Sequence, residues 1–193
     1  SDKVKILGHG INVDRFQASN MPKDSNGILS VGRIAPIKNY EFLIDAAKIL
    51  DDRGIEFNIK IIGAPILDPD KIYLESIKKM VKKNDLGEKV HFFGSVSHEQ
   101  ITDVYSGSKI FVNFSDTGSL DKAVLEAMAS GLLVLTSNEA FRDILADKYF
   151  TSKDSIAIAD KLTMLLRQGS DPDLRTYVVE NQNLKYLVDK ILL

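Results

Sequence analysis

Cysteine is absent from this 193-residue chain, and histidine occurs only three times. The first absence removes disulfides and thiolate chemistry, and fits a cytoplasmic location. The second leaves His9, His91 and His98 without metal-ligand spacing, so no metal centre is expected from them. A basic excess is also missing. Lysine and arginine total 25 against 27 acidic residues, for a net charge of −2, which argues against a general nucleic-acid binder. No apolar run approaches the roughly 20 residues needed to cross a bilayer, and no secretory signal opens the chain. It starts without methionine, on Ser1-Asp2-Lys3, as expected of a cut or processed chain. Neither a phosphate-binding P-loop pattern nor an internal repeat is present.

What remains is enough for a sizeable core: 44% of residues are hydrophobic and 27% charged, the balance of an ordinary globular domain. Short apolar runs predict strands at 4–7, 28–31, 57–62, 89–93, 110–114 and 132–136, most of them ended by glycine or a small polar residue. Between them, helical patterns cover about 39–52, 69–84, 97–106, 121–131 and 140–146. A helical tail covers 152–168 and continues from 172 to the end. Strands and helices thus alternate, and several strands are apolar on both faces. That is the signature of a doubly wound, mainly parallel α/β sheet with helices on both faces. We read residues 1–193 as one domain, with 1–26 an entry segment and 170–193 a C-terminal helical tail.

In such a fold, ligands bind at the carboxyl ends of the strands. Arg33, Gly63, Gly94, Ser115 and the loop Thr117-Gly118-Ser119-Leu120 all fall there. In Gly32-Arg33-Ile34-Ala35-Pro36-Ile37-Lys38, two cations five residues apart follow a strand. Both can reach a diphosphate, neutralise it in place of a metal and stabilise it as a leaving group. The segment Asp121-Lys122-Ala123-Val124-Leu125-Glu126-Ala127-Met128-Ala129-Ser130-Gly131 is a helix that is apolar beyond its first turn except at Glu126. An apolar helix is expected to be buried, and a buried carboxylate needs a partner. The small residues before it suit close approach of an anion to a helix N-terminus. Glu126 would lie roughly 7 Å beyond that anion, where it can accept hydrogen bonds from two ribose hydroxyls. The expected ligand is a nucleoside diphosphate.

Other patterns carry plainer readings. Asp68-Pro69-Asp70 resembles an Asp-x-Asp metal motif, but Asp68 also fits a helix cap, Pro69 the first helical position and Asp70 the positive helix end. Gly8-His9-Gly10 lacks the third glycine of a dinucleotide fingerprint, since Val13 stands in its place. Lys78, Lys79, Lys82 and Lys83 share one helix; they read as a solvated face, with contact to an anionic membrane surface as the alternative.

Taken in order, Val31-Gly32-Arg33 to Lys38, Ile61-Ile62-Gly63, Val90-His91-Phe92-Phe93-Gly94-Ser95-Val96, and Ser115 through Leu125-Glu126-Ala127-Met128-Ala129-Ser130-Gly131 resemble the GT-B retaining glycosyltransferases of family 4, over about residues 3–150. Gly8-His9-Gly10-Ile11-Asn12 to Phe16 is similar to the segment that enters the second domain there. The resemblance implies the C-terminal, donor-binding half of such an enzyme, with the N-terminal acceptor domain as its partner and lying outside this chain. It implies sugar transfer from a UDP-, GDP- or ADP-sugar to an acceptor hydroxyl with retention, without metal or other cofactor. It suggests polysaccharide or glycolipid synthesis and implies that this chain is inactive by itself; the expected location is cytoplasmic, with the inner face of the membrane as the peripheral alternative.

By motif match, Arg33 and Lys38 would be the catalytic cations on the diphosphate. The amides of Lys122 and Ala123 would bind phosphate, Glu126 the ribose, and Gly94, Ser95 and Val96 the base. Gly118, Ser119, Leu120 and Asp121 would border the donor sugar. Three positions depart from the family pattern. Gly118 stands where a sugar-binding glutamate is usual, and Asp121 replaces a glycine, either supplying that carboxylate or capping the helix. Asn39 replaces another glycine. A GT-B-type sugar-nucleotide epimerase and a non-catalytic nucleotide-binding module are the competing readings; the first would need an acid-base pair that the sequence does not display.

Overall fold

The computed structural model describes residues 9–18, 24–97 and 99–192. Its centre is a parallel sheet of five strands: β1 (Gly27–Val31), β2 (Asn58–Ile62), β3 (Val90–Gly94), β4 (Ile110–Asn113) and β5 (Leu133–Thr136). Their spatial order is β3-β2-β1-β4-β5. The register runs Ile28 beside Ile59 and Ile110, and Phe111 beside Val134. The chain therefore builds outward from β1 through β2 and β3, then crosses back to lay β4 on the other side of β1. The reversal opens a crevice between the carboxyl ends of β1 and β4, the usual ligand position in open α/β sheets.

Among the described residues, seven α-helices accompany the strands: α1 (Tyr40–Asp52), α2 (Asp68–Lys83), α3 (Ile101–Ser106), α4 (Lys122–Ala129), α5 (Ser155–Arg167), α6 (Pro172–Asn181) and α7 (Leu184–Leu192). Helix α1 packs on α2 and α5, and α4 packs on α6. The apolar spacing of α1 puts Leu43, Ile44, Ala46, Ala47 and Leu50 in the core, each essentially inaccessible. Burying each of its larger side chains contributes about 2 kcal/mol. The β4 and β5 strands are buried along their whole lengths, which is why they read as unbroken apolar runs.

Gly63 is what lets β1 and β2 end side by side. It adopts φ +142, and a Cβ built on it would lie 1.8 Å from the carbonyl oxygen of Gly32. The Gly63 amide instead donates to the Gly94 carbonyl (2.8 Å), and the Gly32 amide donates to the Ile62 carbonyl (3.0 Å).

Several elements differ from the sequence expectation. The strand expected at 4–7, along with Gly8 and His98, lies outside the described residues. The helix expected at 97–106 begins only at Ile101. The stretch 140–146 is not an α-helix: a 3-10 turn over Glu139–Phe141 leads into non-helical turns, and a second 3-10 turn, Asp147–Tyr149, follows. The Asn138 side chain accepts from the Ala140 amide and starts the first turn. The Arg142 guanidinium then stacks 3.5 Å over the Phe150 ring, closing the loop back on itself. The C-terminal tail is broken rather than continuous. Between α6 and α7 the Gln182 carbonyl accepts from the Ile11 amide (2.7 Å), and the Ile11 carbonyl accepts from the Leu184 amide (2.9 Å). The helix opens because its backbone is used to hold the incoming chain. Arg175 on α6 adds hydrogen bonds to the carbonyls of Phe16, Val13 and Ala129.

At α2 the cap is also reassigned. Leu67 occupies the N-cap, Asp68 lies in the first turn and pairs with Lys71 (2.8 Å), and Asp70 is buried. Asp70 accepts from the Ile66 and Leu67 amides (3.2 and 3.1 Å). The Asp-Pro-Asp motif is therefore a helix start. Among the described residues, no group of three or more His, Asp or Glu side chains could hold a metal ion. None of the helices there is long and apolar enough to cross a membrane. Lys78, Lys79, Lys82 and Lys83 are exposed along α2.

Candidate functional site

The crevice between β1 and β4 is built by two loops stitched together. After β1, the buried Ile34 and Ala35 anchor the chain, and a 3-10 turn over Pro36–Lys38 ends at Asn39 in the left-handed conformation (φ 52). Asparagine tolerates that conformation better than most residues, which accounts for its place at a position that resembles a family glycine. Its side-chain amide donates to the Phe114 carbonyl and to Asp116 (both 2.8 Å). The Asp116 amide returns a bond to the Ile37 carbonyl (3.1 Å). Lys153 also pairs with Asp116 and holds the carboxyl below its usual range, with the Asn39 amide assisting.

This stitching aims Lys38 across the crevice. Its Nζ lies 3.2 Å from the Asp121 carboxylate and 3.4 Å from the Ser115 hydroxyl. Asn113, the last residue of β4, donates to the same Asp121 oxygen (2.8 Å). Lys38 and Asp121 are each less than one-fifth exposed. Asp121 occupies the N-cap of α4, yet its side chain makes no capping bond. The expectation of a cap is therefore corrected: the carboxylate has turned to the lysine and the asparagine, the stronger, charge-assisted partners. Its charge also reaches the buried Tyr40, whose hydroxyl is raised above its ordinary value chiefly by burial and further by Asp121.

The first turn of α4 contains no acid, so the amides of Lys122 and Ala123 keep the positive end of the helix dipole uncompensated by a side-chain cap. Ahead of them, Thr117, Gly118 and Ser119 are exposed and Leu120 half-buried. Gly118 takes φ +67 with nothing within 4 Å of a built Cβ; the turn itself uses glycine there. Asn138, buried at the end of β5, holds this loop by donating to the Ser119 carbonyl (2.8 Å).

Glu126 departs from expectation. It is half-buried rather than enclosed, and it has a fixed partner: the Tyr105 hydroxyl donates to its Oε2 at 3.0 Å, with the Ala123 carbonyl 3.3 Å away. Tyr105 is itself wholly buried, packed edge-on against Phe16 and tilted against Phe111. Burial first, then the Glu126 charge and hydrogen bond, push its hydroxyl well above the normal tyrosine range. It therefore remains a donor and orients the carboxylate. We expect Tyr105→Phe to lower stability by about 1.5 kcal/mol, the low end for a hydrogen bond to a charged group because Glu126 is only half-buried, read as a shift in the chemical-denaturation midpoint. No shift would mean that the bond adds nothing over water.

Arg33 and Lys38 flank Gly32 but answer to different acids. The Lys38 Nζ would sit 3.9 Å from a Cβ on Gly32. The Arg33 Nε lies 3.9 Å from Asp70, and its side chain is 44% exposed. Arg33 instead borders a cleft of about 390 Å³ over the ends of β1, β2 and β3, lined also by Gly63, Ala64, Ile66, Ser95 and Val96. The expected site residues thus form adjoining groups. Lys38, Asp121 and the start of α4 meet at the crevice; Arg33, Ser95 and Val96 share the neighbouring cleft, which Gly94 adjoins; Glu126 lies one helical turn past the amides of Lys122 and Ala123, against Tyr105. Asn113, Tyr105 and Asn138 were not expected. Only Asn113 carries a sequence signal, as the polar residue in an otherwise apolar strand.

The family model for glycosyl transferases group 1 matches residues 13–184. A D-inositol 3-phosphate glycosyltransferase of Streptomyces scabiei is 27% identical over 184 residues, covering 89% of this chain and 39% of that protein. The chain thus spans well under half the length of that curated relative. The C-terminal domain of a glycosyl transferase group 1 family protein of Francisella tularensis superposes with TM-score 0.73 at 25% identity, covering 94% of this chain and 98% of that one. Anabaena HepE, solved in complex with UDP and glucose, superposes with TM-score 0.79 at 13% identity, covering 95% of this chain and 54% of that one.

Proposed function

The chain belongs to the glycosyl transferases group 1, and on that premise we propose that it is the donor-binding part of an enzyme that moves a sugar from a nucleoside-diphosphate sugar to an acceptor hydroxyl. One observation carries the reading: Lys38 from the β1 loop and the uncapped first turn of α4 converge at the sheet's switch point, as a diphosphate site requires. Lys38 and the amides of Lys122 and Ala123 would hold the phosphates, and Arg33 would approach from the cleft side. Glu126, oriented by Tyr105, would accept the ribose hydroxyls, while Gly94, Ser95 and Val96 face the base. The exposed loop at Gly118, Ser119 and Leu120, with Asp121 behind it, would border the sugar.

The chemistry is departure of a diphosphate whose growing negative charge is met by preorganised positive groups, which lowers the barrier more than binding the ground state would. In this reading the cations serve where other transferases use a divalent ion, and the sugar keeps its anomeric configuration. UDP in a fold neighbour makes it one of three nucleotides to try. The acceptor would be held by residues outside this chain, so the chain alone should bind nucleotide without turnover.

Calorimetric titration with UDP, GDP and ADP tests the site directly; binding weaker than about millimolar for all three, near −4 kcal/mol, would overturn it. For the nucleotide that binds, Glu126→Gln should weaken affinity about tenfold, from loss of a charge-assisted bond. The same variant should erase any preference for the ribo- over the 2′-deoxyribonucleotide. An intact preference would remove Glu126 from the ribose.

A further inference from the structure

Asp121 is placed where a diphosphate-binding site would not ordinarily tolerate an acid. It sits at the mouth of the helix that the phosphate would approach, forgoes the capping bond its position offers, and holds the very lysine the phosphate needs (3.2 Å). Asn113, itself 5% exposed, fixes the carboxylate from beneath. The acid is thus built into the floor of the crevice and cannot swing into solvent without breaking two bonds. Any phosphate held by Lys38 comes to lie one side chain away from it.

Taking the diphosphate reading of this site as given, we propose that Asp121 makes the site discriminate between a nucleotide sugar and the nucleoside diphosphate left after transfer, in favour of the sugar nucleotide. The physical basis is a difference of one charge. In the donor, the distal phosphate is esterified to the sugar and carries one negative charge. After transfer the same phosphate is terminal and, with a second ionisation near pH 6, carries close to two. Lys38 and the helix end attract both forms, and attract the product more, which Asp121 offsets. Asp121 repels both, and repels the product more. At contact separations, in a medium between water and a protein interior, one extra charge beside a carboxylate is worth about tenfold in a binding constant. Asp121 therefore weakens product retention more than it weakens donor binding, by the worth of that one charge. Its pairing with Lys38 in the unliganded site keeps the lysine placed while no phosphate is there.

The test is calorimetry at fixed ionic strength on the intact chain and its Asp121→Asn variant. The ligand pairs are UDP with UDP-glucose, GDP with GDP-mannose, and ADP with ADP-glucose. Asparagine keeps the shape and can still accept from Lys38. We expect Asp121→Asn to tighten both ligands, and the nucleoside diphosphate about tenfold more than the matching sugar nucleotide, so that the ratio of the two affinities changes. Equal shifts for both ligands, or none, would overturn the proposal while leaving the nucleotide site standing. A loss confined to the sugar nucleotide would overturn it too, by making Asp121 an acceptor for a sugar hydroxyl. If none of the six ligands binds the unmodified chain, the diphosphate reading fails and takes this inference with it. Thermal unfolding of each variant checks the fold; should Asp121→Asn be impaired, Asp121→Ser, which also removes the charge, must show the same change in ratio.

Discussion

Gly63→Ala should destabilise the protein by about 3 kcal/mol or more, the upper range for forcing atoms into a packed site with added backbone strain. The clash is between covalent backbone atoms: a Cβ at position 63 would stand 1.8 Å from the Gly32 oxygen. No rotamer change relieves that. One strand end must move, and both strands are locked by parallel pairing over Gly27–Val31 and Asn58–Ile62. Movement would also break the bond from the Gly63 amide to the Gly94 carbonyl, and with it the alignment of the three strand ends that carry Arg33, Gly63 and Ser95. Equilibrium denaturation in urea measures this; a loss under about 1 kcal/mol, an ordinary surface value, would show that the loops after β1 and β2 yield easily.

Lys38→Ala should weaken nucleoside-diphosphate binding by about 2–3 kcal/mol, the range for a lost charge-assisted hydrogen bond in a partly desolvated site. The effect exceeds that of a surface cation because Lys38 is only 16% exposed at its side chain. The substitution also strands Asp121, which would keep the Asn113 bond but lose its counter-charge, adding repulsion toward any incoming phosphate. Lys38→Ala paired with Asp121→Asn should accordingly recover part of the loss. Calorimetry of the single and double variants reads both terms. Affinity unchanged in a folded Lys38→Ala protein would leave the lysine a structural tie between two loops.

The sheet and its helices were largely legible because continuous apolar runs and 3.6-residue spacing report burial directly, as Ile110–Asn113 and the Leu43–Leu50 face of α1 do. Local patterns misled where distant partners decide. The stretch 140–146 has helical composition, but Asn138 and the Arg142–Phe150 stacking turn it into a loop. The C-terminal tail would continue as a helix were it not for Ile11, which lies more than 170 residues away in sequence. That Arg33, Lys38 and the start of α4 lie at the carboxyl ends of strands was readable because glycines mark them; that Arg33 and Lys38 face different acids was not. Asp121 was not, since an acid before a helix normally caps it; only Lys38 and Asn113, brought in by the crossover, redirect its side chain. Tyr105 as the partner of Glu126 was likewise invisible, being set by the reach of one buried side chain from α3 to α4.

The clasp at the two ends of the described chain has a mechanical consequence. Ile11 is gripped on both sides by the break between α6 and α7, the His9 backbone amide donates to the Gln182 side-chain oxygen, and Arg175 ties the carbonyls of Val13 and Phe16. A tug on the polypeptide at residue 9 is therefore borne first by the C-terminal helices. The β-sheet feels that load only after the clasp has been peeled open.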